Sequence, residues 1–122
     1  MSTIILVDDQ PIANFITRKL LEIEGYNKDV VDFTNPEEAL SYLDDKQNTL
    51  IFLDLNMPEM NGFEFMDSLK AIGQKHRIII LTSSTSAVDR KRAEEYPSVI
   101  DYVEKPLNKN KFTQLQPFLQ EL

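Results

Sequence analysis

The sequence predicts a doubly wound α/β domain, a five-stranded parallel sheet with helices on both faces, and three observations carry that reading. Five short runs rich in β-branched and aliphatic residues punctuate the chain, at residues 3–7, 30–33, 49–53, 77–81 and 99–103. Most lack alternation, and near-continuous apolar runs suit strands covered on both faces better than half-solvated hairpin strands. A helical pattern follows each run, so short right-handed crossovers wind helices onto both sides of the sheet.

Each helix has its own signals. Pro11 suits the first turn of a helix carrying Ile12, Phe15, Ile16, Leu20, Leu21 and Ile23, and Glu24-Gly25 marks its end. Asn35-Pro36-Glu37-Glu38 reads as an N-cap, a helix-opening proline and two acids at the positive end of the dipole, opening a helix that runs to about Asp44. Gly62 precedes a third helix with Phe63, Phe65, Met66 and Leu69, ending near Gly73. The fourth begins after the hydroxyl cluster Thr82-Ser83-Ser84-Thr85-Ser86 and stops before Pro97. Asn108 opens the fifth, with Phe112, Leu115, Phe118, Leu119 and Leu122 inward, and Pro117 is expected to kink or shorten it.

Composition narrows the function classes. The 122 residues fit one domain over residues 1–122, with no effector domain expected, and a chain of this size buries roughly two thirds of its unfolded surface. Hydrophobic residues at 42% and charged residues at 27% exclude the disordered class. The absence of cysteine excludes a disulfide scaffold and thiolate metal sites, and one histidine, His76, excludes His-rich zinc sites. A formal net charge of −7 argues against direct binding of nucleic acid or an anionic membrane surface. The start lacks a signal peptide's basic and long apolar stretches, and no run approaches a bilayer span of roughly 20 apolar residues, so a cytoplasmic protein without membrane insertion is expected.

In sheets of this class ligands bind beyond the carboxyl ends of the strands, where the winding reverses. The first strand ends in Asp8-Asp9, the third in Asp54 and the fourth in Thr82-Ser83, while Lys105-Pro106 follows the fifth. Singly, such acids and hydroxyls cap helices and such a lysine is solvated. Together, four of five strands deliver polar groups to one edge. Gathered carboxylates repel, so a positive charge must sit among them; with only hard oxygen donors on offer, a Mg²⁺-like ion is the natural occupant. A carboxylate nucleophile, a divalent ion, an ammonium and a hydroxyl are the parts for phosphoryl transfer. Neither a Gly-x-x-x-x-Gly-Lys loop nor a Gly-rich dinucleotide turn is present, which argues against a bound nucleotide.

Asp8-Asp9 after an apolar strand, Asp54-Leu-Asn-Met-Pro-Glu-Met-Asn-Gly62, Thr82-Ser83 after Ile-Ile-Ile-Leu, and Tyr102-Val-Glu-Lys105-Pro106 together resemble the response-regulator receiver domain of two-component signalling. The resemblance covers the whole chain and is to the stand-alone type, similar to the chemotaxis response regulator. It implies the flavodoxin-like receiver fold with strand order 2-1-3-4-5. It implies Asp54 as the phosphoacceptor, supplied by a sensor histidine kinase or a histidine phosphotransfer protein. Asp9 and Asp54 would hold Mg²⁺ with the main-chain carbonyl of Asn56, and Asp8 would act largely through water. Lys105 would pair with the phosphoryl group across a cis bond to Pro106, and Thr82 would bond a phosphoryl oxygen. Gly62 would end the loop with a positive φ.

By the same resemblance, Thr82 moving toward the phosphoryl group vacates space that Tyr102 fills, which switches the face of the fourth helix, fifth strand and fifth helix for a downstream protein target. Asn56 and Ser84 occupy positions that tune phosphoryl lifetime. Ser83 stands where Ala or Gly is commoner, beside the phosphate's access route, and Tyr96-Pro97-Ser98 replaces the usual Gly-Ala before the fifth strand. The expected protein is a monomer when unphosphorylated and no enzyme beyond its own aspartyl phosphorylation and dephosphorylation. Alternatives are a phosphate shuttle between histidine proteins, a small aspartyl-nucleophile phosphatase, and an interaction module never phosphorylated. His76 is expected to be a solvated turn residue, and Arg90-Lys91-Arg92 the wet side of the fourth helix.

Overall fold

The structure, a computed structural model, describes residues 3–26, 29–45, 49–73 and 76–120. Strands and helices alternate: β1 (Ile4–Val7), α1 (Pro11–Ile23), β2 (Val30–Phe33), α2 (Pro36–Leu43), β3 (Leu50–Leu53), α3 (Gly62–Ala71), β4 (Arg77–Thr82), α4 (Ala87–Ala93), β5 (Val99–Glu104) and α5 (Lys109–Gln120). Every pairing is parallel and the order is β2-β1-β3-β4-β5. The winding reverses between β1 and β3, where a crevice opens beyond their carboxyl ends.

Alternate residues of the central strands feed two apolar layers. Ile5, Val7, Ile51, Leu53, Ile78 and Ile80 pack against Ala39 and Leu43 of α2, Phe63, Phe65, Met66 and Leu69 of α3, and Ala93 of α4. Ile4, Leu6, Leu50, Phe52, Ile79 and Leu81 face Leu21 of α1 and Phe112, Leu115 and Leu119 of α5. Both faces of β1 and β3 are therefore buried, while the edge strands β2 and β5 are half-covered. One irregularity interrupts the ladder: Ile78 pairs with Val99 but Ile79 pairs with Asp101, so Ile100 is an extra residue in β5.

The helix starts follow their caps. Asn35 Oδ1 accepts from the N–H groups of Glu37 and Glu38, Asn61 and Glu64 form a reciprocal capping box, and Ser86 accepts from the Asp89 N–H.

Three expectations are corrected. The buried stripe of α1 is Asn14, Thr17 and Leu21, whereas Ile12, Phe15, Ile16 and Ile23 are exposed, Ile23 to 74%. The helix turns inward the face whose Asn14 amide can donate to the carbonyls of Asp8 and Phe33, at 3.2 and 3.1 Å. Pro117 lies within α5, which continues to Gln120; both Pro117 and Thr113, whose carbonyl loses its usual donor there, are exposed to water. His76 is buried, because the Arg77 N–H bonds to the Thr49 carbonyl and the imidazole Nδ1 meets Thr49 Oγ1 at 2.5 Å. The trio Arg90-Lys91-Arg92 is exposed on α4 as expected, and within it Arg90 lies over the Tyr102 ring at 5.0 Å and Arg92 over Phe63 at 4.2 Å. Leu122 lies outside the described residues.

Candidate functional site

Strand register brings the acids together. Val7 and Leu53 are partners across β1 and β3, and the ladder runs one step further through the Asp54 N–H to the Val7 carbonyl at 3.0 Å. Asp8, Asp9 and Asp54 thus leave adjacent strands at the same level, each offering a carboxylate oxygen within 4.8 Å of the others. Asp8 and Asp54 are buried and Asp9 is half-buried. The Asp8 carboxylate also accepts from the Gln10 N–H at 2.9 Å, and Asp54 from the Asn56 N–H at 3.2 Å.

From the other side of the crevice, Lys105 enters after β5. Its N–H donates to the Thr82 carbonyl at 2.8 Å, and its Nζ lies 2.5 Å from Asp8 Oδ2 and 3.5 Å from Asp54 Oδ2. The Lys105–Pro106 bond is cis. Burial pushes the Asp54 carboxyl above its ordinary value and the Asp8 charge adds to that, while Lys105 and the Asn56 N–H pull it back. Three carboxylates against one ammonium leave two negative charges in a cleft where each close like-charge pair costs about 4 kcal/mol at an effective dielectric near 20. The donor set, all hard oxygens with a deficit of two positive charges, fits a divalent cation of the Mg²⁺ class.

Thr82 is fully buried at the end of β4, and its hydroxyl accepts from the Ser84 N–H at 3.2 Å and the Asn56 side-chain amide at 3.4 Å. Ser84 donates to Asp89 at 2.7 Å, and Ser83 is exposed. Tyr102 is half-buried, and its hydroxyl, sealed from water, completes no hydrogen bond among the described residues. Burial raises that phenol above its ordinary value, with Ser84 and Arg90 opposing and Asp89 and Glu104 adding.

Gly62 is needed for a reason the sequence did not supply. Its φ is not positive, and a Cβ there would stand 2.8 Å from the Asp54 carbonyl oxygen and 2.9 Å from the Leu55 Cα. The α3 start presses directly on the backbone that carries Asp54, with the Gly62 N–H bonded to the Leu55 carbonyl at 3.0 Å. Asn14 is a residue that sequence reasoning missed. It anchors α1 to the backbone of Asp8, and its signal was a polar residue three and seven positions ahead of Thr17 and Leu21 on one helix face.

Residues 4–116 match the family described as the response regulator receiver domain. Among curated relatives, the transcriptional regulatory protein CpxR of Escherichia coli (strain K12) is 40% identical over 110 residues, covering 88% of this chain and 44% of its own length. The chain thus spans less than half the length of that relative. Among solved structures, a two component response regulator from Cytophaga hutchinsonii superposes with a TM-score of 0.84 at 26% identity, covering 100% of this chain and 98% of the other. A response regulator receiver protein from Dyadobacter fermentans gives 0.78 at 29% identity, with 98% of each chain covered. With sheet order, acid crevice and family match in agreement, the chain belongs to the response regulator receiver domains, the phosphoacceptor signalling domains of two-component systems.

Proposed function

We propose that Asp54 accepts a phosphoryl group from a phosphohistidine of a sensor histidine kinase or histidine phosphotransfer protein. The observation that supports this most is the Lys105 ammonium held between Asp8 and Asp54, a cation already placed where an incoming anion would need one. An Asp54 carboxylate oxygen forms the new O–P bond as the donor's N–P bond breaks and the imidazole leaves; hydrolysis later returns the carboxylate and inorganic phosphate. Asp9 and Asp54, with the Asn56 carbonyl, would hold Mg²⁺, and Asp8 would orient it through water while keeping Lys105. The ion would neutralise charge on the phosphoryl oxygens.

The Lys105 ammonium and the Thr82 hydroxyl would bind those oxygens. For Thr82 to do so, its present bonds from Ser84 and Asn56 must be exchanged, which loosens the segment after β4. Tyr102, whose buried hydroxyl completes no hydrogen bond among the described residues, gains by moving into the vacated space. The readout is the surface of α4, β5 and α5, offered to a downstream protein target. Asn56 and Ser84 border the site and would set the phosphoryl lifetime, with Ser83 beside the entrance.

Beryllofluoride with Mg²⁺ tests this on the amide correlation spectrum. Saturating shifts at Asp54, Thr82, Tyr102 and α4, absent from Asp54→Asn, are expected. An unchanged spectrum, or equal shifts in the variant, would overturn the assignment.

A further inference from the structure

We propose that Lys111, in the first turn of α5, is a positioning residue for Lys105, fixing the stretch of backbone from which the Lys105 ammonium reaches the acid crevice. The role rests on the reading of Lys105 as the cation that binds the phosphoryl oxygens. The Lys111 ammonium donates to the Glu104 carbonyl at 2.8 Å and to the Pro106 carbonyl at 3.3 Å, the residues on either side of Lys105. The Lys105 N–H is taken by the Thr82 carbonyl at 2.8 Å. The main chain around this one lysine is therefore tied to β4 on one side and to α5 on the other.

Lys111 is itself anchored. Asn108 Oδ1 accepts from its N–H at 2.9 Å, and its neighbour Phe112 is wholly buried with its own N–H on the Asn108 carbonyl. Side chains on a helix lean toward its N-terminus, which carries the ammonium back over the turn that precedes α5. The charge stands at the wrong end for the helix. A cation in the first turn faces the positive pole of the helix dipole, no acid lies in that turn to offset it, and Lys111 is half-buried. Two charge-assisted bonds compensate, and both fall on the residues that flank Lys105. The arrangement supplies preorganisation. Lys105 Nζ sits between Asp8 and Asp54, 2.5 and 3.5 Å from their oxygens, with 16% of its side chain exposed. An anion arriving at Asp54 then meets an ammonium already in place, whereas a loosened loop would have to be ordered at the moment of binding.

Beryllofluoride, standing in for the phosphoryl group and titrated into the full chain at saturating Mg²⁺, measures the effect through amide shifts. Lys111→Met should bind it about three- to tenfold more weakly, the cost of ordering one long side chain, while Mg²⁺ alone binds no more weakly than in the parent. Lys111→Arg, whose several N–H donors can still span both carbonyls, should recover most of the loss. Lys109→Met removes the same charge from the same turn and leaves both carbonyl bonds in place, so it should match the parent. Undiminished affinity in Lys111→Met, an equal loss in Lys109→Met, no recovery in Lys111→Arg, or a parallel loss of Mg²⁺ binding would each overturn the proposal. Lys105→Met separates this role from the reading beneath it. Beryllofluoride binding unchanged there sinks Lys105 as the phosphoryl cation, whereas binding weakened there and kept in Lys111→Met sinks Lys111 alone.

Discussion

The Lys105 ammonium stands 2.5 Å from an Asp8 carboxylate oxygen across 97 residues of sequence, and both side chains are largely withdrawn from water. Replacing Lys105 by Met keeps the hydrocarbon stem and leaves Asp8 and Asp54 facing each other unneutralised. Without divalent ions the variant should lose on the order of 3 kcal/mol, as for breaking a buried pair from one side. Added Mg²⁺ should recover part of that loss. Urea titrations with Mg²⁺ or EDTA measure it, and equal midpoints for parent and variant in EDTA would show that the pair carries no such load.

Asp54→Asn should stabilise the protein at pH 7 when no divalent ion is present. The Asp54 pKa is raised in the fold, so its contribution is fully present below 3.8 and is lost as pH climbs through the raised value. At neutrality the folded state therefore bears the cost of a carboxylate it disfavours. Saturating Mg²⁺, at a hundred times its Kd, should add about 2.7 kcal/mol to the parent and less to the variant. Calorimetry in EDTA and in Mg²⁺ gives both numbers; a variant melting below its parent in EDTA contradicts the reading.

Gly62→Ala and Gly25→Ala should fail differently. At Gly62 the new methyl collides with the Asp54 carbonyl and the Leu55 backbone, an overpacking cost of about 1–3 kcal/mol that displaces the Asp54 loop. At Gly25 nothing lies within 4 Å, but φ is 85°, so the penalty is a left-handed backbone of about 1–2 kcal/mol. Amide shifts should reach Asp54 in the first variant and stay at the end of α1 in the second.

His76 should make stability fall as pH drops. Its pKa is lowered by burial, so the unfolded chain takes up a proton near 6.5 that the folded one refuses, and the unfolded state gains as pH falls below 6.5. Urea midpoints between pH 7.5 and 5 should decline in the parent and flatten in His76→Asn. Parallel slopes would place the dependence elsewhere.

Thr82→Val keeps shape and burial but strips the acceptor used by Ser84 and Asn56. A loss of about 1–2 kcal/mol is expected from the stranded Ser84 N–H. The beryllofluoride shifts at Tyr102 should vanish while those at Asp54 persist; shifts retained at Tyr102 would remove Thr82 from the route.

The sequence carried the architecture because the strands are so one-sided in composition. Residues 50–53 and 78–81 are wholly apolar, which only a strand covered on both faces tolerates. The polar groups were legible for the same reason: Asp8, Asp54 and Thr82 sit directly at the ends of such runs. What failed was orientation within a helix. Ile12, Phe15 and Ile16 look inward by hydropathy, yet Asn14 wins the inner position because two backbone carbonyls need its amide. The role of Gly62 was equally hidden, since a close approach between chain segments has no trace in local sequence. His76 looked like a turn residue because nothing near it announces Thr49 as its partner.

Ile100 has a further bearing on the crevice. Side chains on a strand change sides at each step, yet Val99 and Tyr102 lie on the α2–α4 side, and Ile100 and Val103 on the α1–α5 side, an odd count between like-facing residues. The surplus residue resets the phase of everything after it. Were Ile100 instead paired in regular register, Tyr102 would be delivered to the wrong flank, out of reach of Arg90, and the lysine three residues later would start from the opposite parity. A single unpaired position at a sheet margin thus decides which helices can hear what happens at Asp54.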